Sequence, residues 1–355
     1  MFARGADNLI SFTQMIDMIS ARPVNGLAFS VLDLATIAQG RTPADTFEHS
    51  LTLARLAEQW GYTRYWLAEH HNSPGVASSA TSVLIGYIAG GTSTIRVGSG
   101  GIMLPNHSPL VVAEQFGTLA SLYPNRIDLG LGRAPGTDQA TARAIRGANM
   151  EGAQNFPYDV QALQRYFSAD NRNAPVRAIP GEGLDIPIWI LGSSLDSARV
   201  AAAMGLPYAF ASHFAPSYFM QAINLYRQSF QPSRFLQKPY VMSGINVVAA
   251  DTDAEAARLA TSVQQFFMGV VTGRHRQLPP PVEVEEMDEL WDDLTEQAVR
   301  QMLAYSIVGG PDKIRQTLAV FREKTGVDEV MVTAHIYDPA ARLRSYELFA
   351  EAVKG

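Results

Sequence analysis

The sequence predicts an α/β protein folded as a (β/α)8 barrel (TIM barrel), with an insertion between the seventh and eighth strands. From residue 27 onward, eight short apolar segments typical of strands are each followed by a helix-like pattern. Most of these segments are continuous apolar runs, as in a parallel sheet covered on both faces. Two Rossmann halves are the alternative, but they would need only six strands, so the barrel is favoured.

The predicted strands follow one another at the spacing that intervening helices require. The first helix pattern, residues 42–61, carries apolar side chains at Leu53, Ala54 and Ala57 and ends at a glycine. The strands are LAFSVLD (27–33), TRYWLAEHH (63–71), IRVGSGGIML (95–104), RIDLGLG (126–132), IPIWILG (186–192), YAFASHF (208–214), PYVMSGINVVAA (239–250) and DEVMVTAHIY (328–337).

Composition excludes several classes of protein. The 355 residues include no cysteine, which rules out disulfides, thiolate zinc sites, iron–sulfur clusters and cysteine nucleophiles. A net charge of −6 argues against a non-specific nucleic-acid binder or a protein of anionic membranes. No apolar run approaches the roughly 20 residues of a membrane span. We therefore expect a cytoplasmic protein.

The chain is predicted to hold one domain. Residues 1–26 are expected to be an N-terminal extension, with an amphipathic helix as the alternative, and residues 27–355 to form the barrel domain. Residues 268–297 interrupt the barrel pattern with three consecutive prolines, a basic cluster and an acidic stretch. We expect its triple proline (279–281), its basic segment GRHR (273–276) and its acidic segment EVEEMDE (283–289) to resist burial, and the insertion to act as a mobile lid; a surface or dimer-contact insertion is the alternative.

The glycine-rich segment GLGRAPG (130–136) is a weak match to a dinucleotide-binding loop. A Rossmann loop should follow the first strand and open into a helix, whereas this one follows the fourth strand and contains Pro135. What remains is Arg133 at the carboxyl end of a parallel strand, where barrel active sites form. A guanidinium there suits a phosphate, but spacing alone allows equally a structural pair with Asp128 or Asp138.

A second segment with the character of a phosphate site is ILGSSLDSARVAAAMG (190–205). It reads as a strand, then Gly192, then Ser193 and Ser194 at the start of a helix. Amides at a helix start favour an anion, and the hydroxyls of Ser194 and Ser197 add donors. Ordinary N-capping by serine is the alternative. Together with Arg133, this segment favours a cofactor that carries a phosphate.

The second strand ends in the ionisable residues Glu69, His70 and His71. Because side chains alternate along a strand, the two histidines should point in opposite directions, so only one faces the mouth. His107 and His213 are also expected near the mouth. A mononuclear metal site of a hydrolase is the alternative reading, although acidic ligands at strand ends are few.

The sequence resembles the bacterial luciferase-like family of flavin-dependent monooxygenases. The resemblance covers nearly the whole chain from Leu27. It is carried by three segments: GYTRYWLAEHH (61–71), STIRVGSGGIMLPNHSPLVVAEQFGTLASLYPNRIDLGLGRAPG (93–136) and PIWILGSSLDSARVAAAMGLPYAF (187–210). The barrel is the fold of that family.

The resemblance implies a role for each matching residue. Arg133, Gly192, Ser193, Ser194 and Ser197 match the segment that binds the flavin phosphate. On this reading, the glycines of residues 126–136 make room for the flavin.

Residues around the flavin ring are implied in the same way. His70 matches the histidine placed near the ring for oxygen chemistry, and Gly100 and Gly101 match a pair joined by a cis peptide behind the ring. Gly132 departs from luciferase itself, which has a cysteine there, so the resemblance predicts neither the lifetime of the flavin intermediate nor whether light is emitted.

The activity implied by the resemblance is that of a monooxygenase. Such an enzyme takes reduced FMN as co-substrate and O2, and oxygenates a small organic substrate through a flavin C4a-peroxide. A separate NAD(P)H:flavin reductase and a homodimer are the expected partners. An F420-dependent hydride-transfer enzyme and a non-catalytic flavin-binding protein are the alternatives.

Overall fold

The computed structural model describes residues 26–147 and 152–355, in which eight parallel strands close into a barrel. The strands run in the order β1-β2-β3-β4-β5-β6-β7-β9, and β9 pairs with β1 to complete the ring. They are β1 (Ala28–Asp33), β2 (Arg64–Leu67), β3 (Arg96–Met103), β4 (Ile127–Gly132), β5 (Ile188–Gly192), β6 (Tyr208–Phe210), β7 (Val241–Ala249) and β9 (Glu329–Thr333). The predicted barrel is confirmed, and each barrel strand lies within a predicted segment.

Helices lie between the strands. They are α1 (Pro43–Gln59), α2 (Thr81–Gly90), α3 (Pro109–Leu122), α4 (Gln139–Arg146), α5 (Phe156–Phe167), α6 (Leu195–Met204), α7 (Phe219–Ser229), α8 (Asp253–Val271), α9 (Met287–Leu290), α10 (Asp293–Met302), α11 (Pro311–Thr325) and α12 (Pro339–Lys354). None of the helices in the described ranges combines the length and apolar character that a membrane span requires. The predicted extension, apart from Gly26, lies outside the described residues.

One strand was not anticipated from the sequence. β8 (Ser306–Gly309) pairs in parallel with the last four residues of β7 and takes no part in the ring. The nine-residue β7 is long enough to pair first with β6 and β9 and then with β8.

A buried polar network ties the amino ends of the strands together. Asp128 accepts from Arg64 Nη1 at 2.8 Å and from Arg96 Nη2 at 2.6 Å. Glu329 accepts from Arg64 Nε at 3.1 Å and from the Tyr240 hydroxyl at 2.9 Å. Both carboxylates are fully buried, so each depends on these donors to offset its lost hydration. This end of a barrel contributes stability rather than chemistry.

The inside of the barrel is filled by apolar side chains that share one face of each strand. This inner cluster includes Leu32, Trp66, Trp189, Met242 and Met331. Since side chains alternate, residues two and four positions further along the same strand point inward as well, closer to the mouth. This alternation identifies which side chains near the mouth point into the barrel.

The insertion is more closely packed than expected. Leu278 is 2% exposed and pairs with the loop after β1, because its amide donates to the Ile37 carbonyl and its own carbonyl accepts from the Gln39 amide. Pro279 and Met287 are also buried. The expectation that the triple proline and the acidic segment 283–289 resist burial is therefore wrong for Pro279 and Met287. Apolar contacts with the barrel loops outweigh the charged residues around them.

Candidate active site

Glu69 and His71 form a closed polar cluster beside the barrel mouth. Glu69 is 1% exposed, and its carboxylate is bonded by the ring nitrogens of His71 (2.8 Å) and His107 (2.9 Å), the Met103 amide (2.9 Å) and the Asn106 side chain (3.2 Å). Burial alone would raise the pKa of Glu69, but the bonds from His107 and His71 dominate and lower it to about 2. This carboxylate is ionised and fully occupied, so it has no capacity left for a metal ion.

His70 takes the opposite direction, as predicted. It lies four residues beyond the inward Trp66, and its Nδ1 atom is buried with no hydrogen-bond partner among the described residues. Burial lowers the pKa of His70, so the ring is neutral at pH 7. A neutral imidazole can donate or accept a proton.

Two further histidines surround the same space. Burial lowers the pKa of His213 to about 3 and that of His335 to about 4, and each ring lies close enough to His70 for their charges to interact. His335 shares a 3.0 Å hydrogen bond with the Thr36 hydroxyl and stacks on Phe266 at 4.7 Å. The His213 Nδ1 atom is buried without a partner in the described chain.

The depressed pKa of His335 predicts a loss of stability in mild acid. The unfolded chain binds a proton near pH 6.5 and the folded one only near pH 4, so the stabilisation is complete above pH 6.5 and falls as the pH drops towards 4. We expect up to about 1.4 kcal/mol of unfolding free energy to be lost per pH unit through this residue. Urea denaturation of the protein at pH 7, 6 and 5 measures the slope.

His335→Gln should reduce that slope by the equivalent of about one bound proton. Equal slopes for the wild type and His335→Gln would contradict the prediction.

Arg133 lies beside the first turn of α6. Its guanidinium is 44% exposed and, among the residues that the structure describes, reaches one carboxylate, Asp196, at 3.8 Å. Both predicted structural partners are engaged elsewhere: Asp128 binds Arg64 and Arg96, while Asp138 caps α4. The alternative of a structural pair with Asp128 or Asp138 is therefore wrong. The exposed pair between Arg133 and Asp196 contributes little free energy, so the guanidinium of Arg133 can reorient to bind an anion.

The start of α6 brings the predicted serines to Arg133. Ser194 is the N-cap, and its Oγ accepts from the Ser197 amide at 3.4 Å. The Ser197 hydroxyl donates to the Ser194 carbonyl at 2.7 Å and contacts the Tyr208 hydroxyl at 2.9 Å. Gly192 leaves the room for this hydroxyl, because a Cβ there would lie 2.2 Å from Ser197 Oγ. Ser193 is half-buried in the connecting turn.

The glycines of β3 and β4 pack against each other. The Gly100–Gly101 peptide is cis, as the resemblance implied. A Cβ at Gly100 would lie 2.6 Å from Leu32, and one at Gly130 would lie 2.1 Å from the Ser99 carbonyl oxygen. A Cβ at Gly132 would lie 2.8 Å from the Met103 sulfur. Gly130 and Gly132 thus lie against neighbouring protein atoms, and the reading that the glycines of 126–136 make room for a flavin stays a prediction.

Asp33, the other acidic residue at the end of a strand, gives no support to the alternative of a metal site. Asp33 is fully buried and is bound by Arg342 at 2.9 Å and by the Ser50 hydroxyl at 2.6 Å, with a further hydrogen bond from Tyr65. Within the described ranges, no group of three His, Asp or Glu side chains is arranged to hold a metal ion.

Two residues of the mouth were not singled out from the sequence. His335 follows β9 in TAHIY, where an ionisable residue after an apolar run is a usable signal. Asn246 lies inside the apolar run of β7, and only the inward alternation from Met242 reveals it.

Comparison with known proteins identifies close relatives. A model of the family described as luciferase-like monooxygenase matches residues 27–329. A luciferase-like monooxygenase of Escherichia coli K12 is 55% identical over 322 residues, which cover 91% of this chain and 96% of the relative. An N-acetyl-S-alkylcysteine monooxygenase of Bacillus subtilis 168 is 31% identical over 340 residues, covering 92% and 98%.

Solved structures share the fold. The apo form of MsnO8 superposes with a TM-score of 0.86 at 39% identity, covering 92% of this chain and 98% of that one. An FMN complex of the oxygenating constituent of 3,6-diketocamphane monooxygenase from Pseudomonas putida has a TM-score of 0.70 at 19% identity, covering 93% and 98%. An F420-dependent secondary alcohol dehydrogenase has a TM-score of 0.68 at 13% identity, covering 93% and 99%. At these low identities, the last two comparisons show only that the fold is shared.

Proposed function

The chain belongs to the luciferase-like monooxygenase family, and from that premise we propose that it uses reduced FMN and O2 to oxygenate a small organic substrate at the barrel mouth. The observation that carries the proposal is Arg133, a half-exposed guanidinium weakly paired beside the start of α6. A guanidinium and helix-start amides are together what a phosphate monoester prefers.

The chain's own residues fit the cofactor at both ends. Arg133 and the amides of Ser193 and Ser194 would hold the phosphate, while Ser197 and Gly192 keep the start of α6 in place. Gly100 and Gly101 would support the ring. Reduced FMN, when bound, supplies the electrons that activate O2.

His70 is the proposed catalytic residue. Its ring is neutral, and its buried Nδ1 atom has no hydrogen-bond partner in the described part of the chain, so it could give or take a proton during oxygenation. The neighbouring Glu69 cannot compete for this role, because four groups already occupy its carboxylate.

We further propose that a separate NAD(P)H:flavin reductase supplies the reduced FMN, and that the protein is a homodimer. The former follows from the poor match of residues 130–136 to a nicotinamide-binding loop. The names of relatives at 31% identity or more support a monooxygenase over an F420-dependent enzyme.

Replacement of Arg133 by alanine should weaken FMN binding by about 1.5–3 kcal/mol, because a hydrogen-bonded charge is lost. Riboflavin, which lacks the phosphate, should bind the variant and the wild type equally. Fluorescence titration of both flavins measures the difference. Arg199→Ala is the matched control, since Arg199 also pairs with Asp196 but is exposed on α6.

If Arg133→Ala weakens the binding of FMN and the binding of riboflavin equally, Arg133 does not bind the phosphate. Oxygen uptake with photoreduced FMN, run beside a trial with reduced F420, tests the reaction class on the wild type. Oxidation of F420 without oxygen chemistry would contradict the proposed monooxygenase.

A further inference from the structure

Asn246 places an unmatched hydrogen-bond acceptor inside the barrel mouth. The residue is 2% exposed and lies on the inward face of β7, four residues beyond Met242. Its Nδ2 group donates to the His213 carbonyl, which fixes the direction of the amide. The Oδ1 atom is then buried with no donor among the described residues. A buried acceptor without a partner is costly, so a ligand that supplies a donor is favoured.

His213 is the second polar residue on this side of the mouth, and we refer to Asn246 and His213 together as the wall. Its ring covers the inward face of Gly244, where a Cβ would lie 2.3 Å from Nδ1. That Nδ1 atom is also buried and without a partner in the described part of the chain. The ring is neutral at pH 7 because burial holds its pKa near 3, so either tautomer is available. Asn246 and His213 therefore present one fixed acceptor and one adaptable nitrogen.

Strand order decides which side of the mouth this wall occupies. In the eight-strand ring, β7 lies opposite β3 and β6 lies opposite β2. Asn246 on β7 thus faces Gly100 and Gly101 on β3 across the mouth. A flavin ring supported by those glycines would turn its other face towards Asn246 and His213, the side that remains for a substrate.

We propose that Asn246 and His213 bind the organic substrate through an uncharged polar group that donates a hydrogen bond, as an amide or a hydroxyl does. This inference rests on the proposed function, because it takes the flavin to lie against β3. The two residues are specificity-determining residues for the same reaction. Neither is needed to hold the flavin phosphate.

A carboxylate is the wrong ligand for this wall. It offers only acceptors, so it would meet the Asn246 oxygen with no hydrogen between them. Arg342, whose charge acts on the neighbouring His335, is already bound to Asp33. Arg274 and Arg276 of the insertion are exposed to solvent, whereas Asn246 is buried. Within residues 26–147 and 152–355, the charged groups that act on His213 are the two histidines His335 and His70, so no arginine or lysine there compensates the desolvation of an anion.

Three probes of similar shape separate these properties: benzamide donates and accepts, acetophenone only accepts, and benzoate is charged. Calorimetric titration of the FMN-loaded wild type should show benzamide binding about tenfold or more tightly than either of the others. Asn246→Leu should abolish that preference and leave FMN affinity unchanged. Ser262→Ala is the matched control and should keep the preference, because it removes a buried hydroxyl on α8 that also has no hydrogen-bond partner among the described residues.

Several outcomes would overturn the inference: no benzamide binding, benzoate binding as tightly as benzamide, or a preference that survives in Asn246→Leu. A loss of FMN affinity in Asn246→Leu would assign the wall to the flavin instead. If that variant does not fold, His213→Phe carries the same test, because it keeps a ring against Gly244. The probe series is repeated on flavin-free protein, and FMN binding to the wild type is titrated separately. These two measurements distinguish a failure of the proposed function, in which FMN does not bind, from a failure of the substrate subsite, in which FMN binds but the probe preference is absent.

Discussion

Replacement of Glu69 by alanine is expected to lower the free energy of unfolding by about 3–5 kcal/mol. The carboxylate is 1% exposed and joins His71, His107, Asn106 and the Met103 amide at one point. Its removal leaves these donors without their common acceptor. The same substitution should loosen the loop that follows β3, which lies beside His70. Flavin affinity should therefore fall together with stability.

The Glu69 effect should depend on pH in a defined direction. The folded pKa of about 2 lies below the unfolded value of about 4.5, so the stabilisation is present above pH 4.5 and is lost as the pH falls towards 2. Urea denaturation at pH 7 and pH 4 should show a smaller difference between wild type and variant at the lower pH. Glu296→Ala removes an exposed pair with Arg300 and should cost less than about 1 kcal/mol at either pH. A similarly small cost for Glu69→Ala would contradict the central role of this carboxylate.

Asp128→Ala should destabilise the opposite end of the barrel by about 3–5 kcal/mol. The residue is fully buried and accepts from Arg64 at 2.8 Å, from Arg96 at 2.6 Å and from the Trp66 indole at 3.1 Å. Its loss leaves two largely buried arginines short of a partner. The free energy of unfolding, measured in urea at pH 7, gives the effect.

Flavin binding distinguishes Asp128 from Glu69. Asp128 lies near the amino end of β4, away from the mouth, so the folded Asp128→Ala protein should bind FMN as the wild type does. A double-mutant cycle with Arg96→Ala should show a strong coupling energy, because the two side chains touch. Asp312→Ala, which breaks an exposed pair with Arg315, is the control. Weakened FMN binding in folded Asp128→Ala would mean that the base of the barrel shapes the site.

The local sequence pattern was enough to predict the barrel and the strand ends that meet at its mouth. Apolar runs separated by helix patterns specified eight strands, and alternation along the second strand separated His70 from His71. The short β8 was missed because it lies within no apolar run long enough to stand out. Pro279 was misjudged because its proline-rich surroundings concealed the pairing of the neighbouring Leu278 with the loop after β1.

The sequence by itself determined the order of the strands and which residues come at their carboxyl ends, because those features follow from the periodicity of neighbouring residues. Only the tertiary structure decided which polar groups satisfy one another. Asp33 finds Arg342 across 309 positions, and Asp128 finds Arg64 across 64. These pairings leave Arg133, the rings of His70 and His213, and the Asn246 oxygen available at the mouth. Availability of this kind depends on distances between remote segments, which exist only once the barrel has closed.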